Sequence, residues 1–301
     1  MNSTVISRNR TLSALLALCL LGACAPSRVQ HTFYSQFTRP DSIQVAEIWA
    51  PEGVLDRMPG HHGPAVENQY MALRFYFDAR GAIDVYNKSG RIDNELGRWL
   101  WYPTPQQQQE EGAGGDDYYV GKTVGLGGVR LWDGEKEIPL ETTAGRRSLV
   151  GRTEAGAFME MIAYGVLYRG ETVDISLRVD VFDDSRWARV SVRELNGKAV
   201  RYTTGINYHP GAEIRQEADG LIAVWGVHPA NISAHPAPIG AAIRYNPADF
   251  PEREDNGEAF RLFSTPLPAF STWIVSASTK ESELGSAERF FPYVSAYQEF
   301  K

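Results

Sequence analysis

The chain has 301 residues, 22% charged and 43% hydrophobic, with a formal charge of −7. That balance excludes a disordered or collagen-like chain, and the acidity excludes broad electrostatic attraction to nucleic acid. Both cysteines, Cys19 and Cys24, lie at the N-terminus, so the rest of the chain holds neither a disulfide framework nor a cysteine-based metal site.

Residues 1–23 read as a secretory signal peptide. Arg8 and Arg10 form a basic start, and Leu12 to Leu21 form an apolar run too short to span a bilayer comfortably. The ending Leu21-Gly22-Ala23-Cys24 resembles the lipobox of bacterial lipoproteins. The resemblance implies cleavage before Cys24, which then carries a thioether-linked diacylglycerol and a further acyl chain. Two or more chains anchor a protein stably in a lipid bilayer. By the same resemblance to Gram-negative lipoproteins, Ala25 rather than Asp implies the outer membrane over retention in the inner one. Loss of residues 1–23 removes two arginines and takes the formal charge from −7 to −9. Residues 24–30 read as the lipidated cysteine and a tether, and 31–301 as one domain.

The body alternates with period 2. Met71, Leu73, Phe75 and Phe77 alternate with Tyr70, Arg74 and Tyr76, predicting a strand over 69–77. Asp78-Ala79-Arg80-Gly81 predicts a hairpin turn into a strand over 82–88, where Ile83 and Val85 alternate with Asp84, Tyr86 and Lys88. A helix is predicted near 91–100, and Gln106–Gly115 reads as an exposed loop. Trp132-Asp133-Gly134 reads as a hairpin tip. Strands are predicted over 156–168, 173–182, 188–193, 199–208, 221–225, 241–245, 259–264 and 272–278, with a Glu- and Lys-rich helix over 280–290. Ten or so strands with Gly, Pro and Asp turns predict an all-β fold, a large antiparallel β-sandwich with few short helices.

The hairpin places Tyr70, Arg74, Tyr76, Asp84, Tyr86 and Lys88 on one sheet face. Tyrosines with Arg, Lys and Asp suit a sugar ring bearing a carboxylate or sulfate, and an ordinary solvated face is the competing account. His61-His62-Gly63-Pro64 lies in a loop, and His209 follows the end of strand 199–208. Imidazoles there suit proton transfer near neutral pH. His209 ranks above His228 and His235, because it follows the longer strand. Asp116 and Asp117 are open to three readings: catalytic, cation-binding or loop solvation. The glycines of Gly125-Leu126-Gly127-Gly128 suit close backbone approach better than a phosphate loop. No nucleophile elbow or zinc-protease helix is present, and no metal or cofactor is expected.

These segments resemble the DUF4861 family, a bacterial domain of unknown function. The resemblance rests on His62-Gly63-Pro64 with Glu67-Asn68, then Arg74-x-Tyr76-Phe77-Asp78 with Arg80, and Ile83-Asp84-x-Tyr86-x-Lys88. It continues through Trp101-Tyr102-Pro103-Thr104, Gly115-Asp116-Asp117, Val120-Gly121, Gly125, Gly127-Gly128 and Trp132-Asp133-Gly134. Asn87 departs from the pattern, standing where a small residue, usually Gly, is expected. The resemblance implies a sandwich like those of galactose mutarotases and polysaccharide lyases, and work on acidic plant and algal polysaccharides. A lyase or dehydratase acting on uronic-acid oligosaccharides is the expected activity. Such an elimination needs a base (His62 or His209), a cation on the carboxylate (Arg74 or Lys88) and an acid (Tyr76, Tyr86 or Tyr119). Tyr70, Tyr76, Asp84, Asp116 and Asp117 would bind the sugar. On this reading Arg74→Ala weakens turnover far more than stability. The alternatives are a non-catalytic glycan-binding lipoprotein and a structural envelope protein.

Overall fold

The computed structural model describes residues 33–38, 43–54, 59–89, 95–98, 103–229 and 236–297. Cys24, the signal peptide, the tether, Trp101, Tyr102 and His235 lie outside the described residues. Residues His31–Lys301 cluster as one compact unit.

The alternating segments form antiparallel sheets. The largest has nine strands, in the order Glu213–Glu217, Leu221–Gly226, Ile239–Arg244, Ala269–Ser278, Ala188–Glu194, Glu171–Phe182, Gly156–Tyr168, Arg146–Arg152 and Glu47–Ala50. A four-stranded sheet orders Phe33–Ser35, Ala65–Glu67, Ala72–Phe75 and Ile83–Tyr86. A five-stranded sheet orders Glu252–Asp255, Ala259–Phe263, Tyr202–Asn207, Arg130–Trp132 and Glu137–Ile138. One core joins all three. Met159, Leu177, Val190 and Ile274 from the large sheet share it with Leu73, Phe75 and Val85 from the four-stranded sheet and Leu131, Tyr202 and Leu262 from the five-stranded one. The protein is therefore a sandwich-like all-β fold. Burying each such side chain stabilises by roughly 1.5–3 kcal/mol against leaving it exposed.

The helices are few and short among the described residues. The Glu- and Lys-rich helix predicted over 280–290 forms later, at Ala287–Ala296, because its apolar spacing lies there. Ala287, Phe290, Phe291 and Val294 pack with Trp187, Trp225 and Val275 in a second cluster. Of the helix predicted over 91–100, Glu95–Arg98 is helical, and 90–94 and 99–102 lie outside the described residues. Part of the expected loop 106–115 is instead a helix, Pro105–Glu110. Thr104 and Gln107 form a reciprocal capping box and Pro105 sits at its first turn, a start signal stronger than the low-complexity run that hid it.

The glycines after residue 124 do bring backbones together. A Cβ on Gly125 would lie 2.0 Å from the Ile83 carbonyl oxygen, and φ there is +69°. This contact fixes segment 116–124 beside the four-stranded sheet, with Ile83 N–H donating to Val124 O and Leu126 N–H to Ile83 O.

Candidate functional site

In the four-stranded sheet Ala65, Arg74 and Asp84 form one cross-strand row, and Glu67, Ala72 and Tyr86 the next. Their side chains face away from the core side marked by Leu73 and Val85. A solvated face was one account of this pattern, but the face is covered. Leu96 of helix Glu95–Arg98 packs on Ala65, Ala72 and Tyr86. Gly115 pairs with Asn87 and extends the cover. Arg74, Asp84 and Tyr86 are each at most 1% exposed.

Burial of that many polar groups demands partners, and the face separates into two clusters. In the first, Arg74 Nε and Nη2 donate to Asp84 Oδ2 at 2.9 and 2.6 Å, and Nη2 donates to Asp116 Oδ2 at 2.9 Å. The Tyr76 hydroxyl donates to the same Asp84 oxygen at 2.8 Å. Burial, reinforced by the Asp84 charge, pushes the Tyr76 phenol far above its ordinary range, so it keeps its proton and acts as a donor. One guanidinium thus bridges two carboxylates.

In the second cluster Lys88 Nζ donates to Glu67 Oε2 at 2.6 Å and to the Asn68 carbonyl at 3.0 Å. Glu67 also accepts the Glu95 and Gly97 N–H groups at 3.0 Å each. Glu95 accepts the N–H groups of Ser89 and Gly114, and burial raises its pKa. Tyr86 lies by Glu95 and Glu67, and burial followed by those charges raises its pKa strongly. Tyr86 is thus enclosed under Leu96, and Lys88 is buried with its ammonium held by Glu67.

The face opens at its other end into a cavity of about 290 Å³, lined by Tyr76, Arg80, Asp116–Lys122 and Pro229. The Arg80 guanidinium lies 3.7 Å from the Tyr76 ring centre and pairs with Asp78 at 2.6 Å. Lys122 is exposed and has no ion pair among the described residues. Asp117 is buried, and its Oδ2 accepts from Asn87 Nδ2 at 3.0 Å and meets Lys280 Nζ at 2.8 Å. Asn87, the departure from the family pattern, therefore holds this carboxylate.

Behind the cavity stand two imidazoles. His209 and His228 have ring centres 4.5 Å apart and pack edge to face at 73°, and His228 lies 4.6 Å from the Tyr118 ring. His228 Nδ1 accepts the Tyr119 N–H at 3.1 Å, and Asn207 Nδ2 donates to the Tyr119 carbonyl at 2.6 Å. Burial, then the neighbouring His209, pushes His228 down to about 3. Burial lowers His209 as well, so both rings are neutral at pH 7. The His209 ring lies 5.9 Å from that of Tyr119, and its buried Nε2 has no hydrogen-bond partner among the described residues.

The structure brings Tyr76, Asp116, Asp117 and Tyr119 to one cavity, with Arg74 and Asp84 bonded directly to its wall and His209 beside Tyr119. His62 sits at φ +63° in the turn Gly60–His62, its ring 6.0 Å from Tyr76. Tyr70, Tyr86 and Lys88 are elsewhere. Tyr70 lies under the Arg186 guanidinium at 4.6 Å and lines a separate cavity with Lys88 and Ser89. Sequence reasoning missed Arg80, Lys122, Tyr118 and Lys280 as neighbours, and it underrated His228. The signal for His228 was present: Tyr208-His209-Pro210 and Val227-His228-Pro229 each follow a strand end. Lys280 carried no such signal, since a lysine in a Glu-rich stretch reads as a solvated helix face.

Among the described residues no group of three or more His, Cys, Asp or Glu side chains is arranged to hold a metal ion, and no helix is long and apolar enough to cross a membrane. No curated protein matches the chain. A crystal structure of 4-alpha-glucanotransferase from Thermococcus litoralis is similar at 10% identity and a TM-score of 0.32, over 72% of this chain. The chain spans only 39% of the length of that protein. The profile of a domain of unknown function, DUF4861, matches residues 23–300, and the chain belongs to that family.

Proposed function

We propose that the protein is a lyase or dehydratase acting on acidic, uronic-acid-containing oligosaccharides. The observation that carries the reading is the convergence of Tyr76, Tyr119, Arg80 and Lys122 on one cavity backed by neutral imidazoles. Tyrosine rings pack on the apolar faces of a pyranose, and the two cations suit its carboxylate. The sequence resemblance pointed to the same substrate class.

Elimination breaks the C–H bond beside the carboxylate and the C–O bond one carbon further on, forms a C=C bond, and releases water or an alcohol. Arg80 and Lys122 stabilise the charge that develops on the carboxylate. His209, neutral at pH 7, is the base, and the Tyr119 phenol protonates the leaving oxygen. Arg74 and Lys88, buried and held by acids, give way as the cations that meet substrate to Arg80, which is 38% exposed although it pairs with Asp78, and to the exposed Lys122. Arg74 instead fixes Asp116 in the cavity wall.

The test is incubation with saturated and unsaturated uronide oligosaccharides, followed by enoate absorbance and mass spectrometry. Loss of water or chain cleavage supports the reading, and unchanged masses with every substrate overturn it. The alternative, a glycan-binding lipoprotein without catalysis, draws on one observation: Asp84, Asp116 and Glu67 are all committed to cations inside the protein. Binding without turnover would select it. In either case we place the protein in the outer membrane, held by lipid on Cys24. Release of Cys24→Ala protein from the membrane fraction, against retention of the parent, checks that placement.

A further inference from the structure

The nine-stranded sheet has an outer face that takes no part in the cavity. Glu160, Arg178, Ser191 and Ser271 stand opposite one another across four strands, and Asp180, Arg189 and Trp273 form part of the neighbouring row. Arg193 belongs to the row on the other side. The inner residues of the same strands, such as Val179 and Val190, lie in the core, so these side chains project outward.

Burial here is layered by charge. Glu160 and Asp180 are only 10% and 6% exposed, while Arg189 and Arg193 are 44% and 60% exposed and Arg178 is 29% exposed. Each acid lies beneath arginine: Arg178 pairs with Asp180 at 2.7 Å, Arg189 with Asp180 at 3.3 Å and Arg193 with Glu160 at 3.4 Å. The surface offered to a ligand is therefore mainly guanidinium, with Glu160 at the cavity wall, although the chain as a whole is at −7. Three arginines against two acids leave the patch net positive. The Ser191 and Ser271 hydroxyls meet at 3.3 Å in a cavity of about 490 Å³ beside Arg178 and Arg193. Arg178 is stiffened by stacking 3.8 Å over the Phe158 ring.

We infer that this face is a second, non-catalytic docking surface for an acidic polysaccharide. Guanidinium groups pair with carboxylates or sulfates, and serine hydroxyls hydrogen-bond sugar hydroxyls. Arg189 and Arg193 are four residues apart on one strand, about 13 Å, a span that takes more than one sugar of a chain. A polymer held here stays at the protein while its ends reach the cavity, which raises the effective concentration of substrate. The choice of a polysaccharide over other polyanions rests on the proposed function; the cationic face does not.

The test is affinity electrophoresis in gels holding polygalacturonate, dextran sulfate or neutral dextran. The parent protein, the double variant Arg189→Ser with Arg193→Ser, the single variant Arg193→Glu, and Arg253→Ser as a charge control from another sheet are compared. Expected are retardation of the parent and control by an acidic polymer, no retardation by dextran, and at least a fivefold weaker retardation of both face variants. Turnover of short uronides is expected to be equal in all four. An unretarded parent, or face variants retarded like the parent, overturns the inference. Equal competition by DNA or by anionic phosphatidylserine vesicles overturns the assignment to polysaccharide. Retardation without any turnover leaves this surface standing and removes the proposed function instead.

Discussion

His228 couples folding to pH. Its ring is 3% exposed and its pKa is pushed from an ordinary 6.5 down to about 3, by burial first and by His209 second. A protonated Nδ1 could not accept the Tyr119 N–H. Between these values the unfolded chain binds a proton that the folded protein does not. This stability contribution is therefore complete above about pH 7, falls as the pH drops through 6.5, and levels off near 3. From pH 7 to pH 5 the loss is about 2 kcal/mol. That figure is set almost wholly by the unfolded value, because the folded one lies far below pH 5. The check is denaturant unfolding at pH 5, 6 and 7 of the parent and of His228→Asn. Asparagine does not titrate and its carbonyl can accept the Tyr119 N–H. The smaller side chain also loses packing against Tyr118, a cost independent of pH, so the change with pH is what counts. The parent should lose about 2 kcal/mol more than the variant on going to pH 5. Equal losses would refute the buried neutral imidazole.

Further outcomes are expected. Arg74→Ala should destabilise by about 3–5 kcal/mol, since it removes the buried cation shared by Asp84 and Asp116, seen as a lower unfolding midpoint. That reverses the sequence-based expectation of a turnover defect with little change in stability. Lys88→Met should cost a similar amount by leaving Glu67 buried and unpaired, with partial recovery when Glu67→Gln is added, measured as a double-mutant cycle. Asn87→Gly, a return to the family pattern, should cost about 1–3 kcal/mol because Asp117 loses a buried donor, again read by denaturant unfolding. If His209 is the base, turnover should rise with pH through an apparent pKa below 6.5, since burial holds the ring deprotonated, and Tyr119→Phe should lower turnover about 10²–10⁴-fold in steady-state assays.

Much of the fold was legible because period-2 alternation is a local property. The strand predicted over 156–168 forms as Gly156–Tyr168, and the turn at Asp78–Gly81 joins the two strands assigned to it. Elements whose signal is a cap or a short edge pairing were less visible. The helix Pro105–Glu110 was hidden by its glutamines, and Glu252–Asp255, exposed throughout, has no apolar face to announce it.

The sequence by itself determined the all-β class, the family, and which residues share the Arg74–Asp84 face, because alternation assigns faces without reference to neighbours. It could not tell whether that face meets water. Only the tertiary structure decided this, by laying Leu96 and the segment from Gly114 over it, so that Arg74, Lys88 and Tyr86 are enclosed with acidic partners. The same packing brought Lys280 to Asp117 and His228 to Tyr119 from distant parts of the chain. Burial and long-range pairing depend on what lies above a side chain, and no local pattern encodes that.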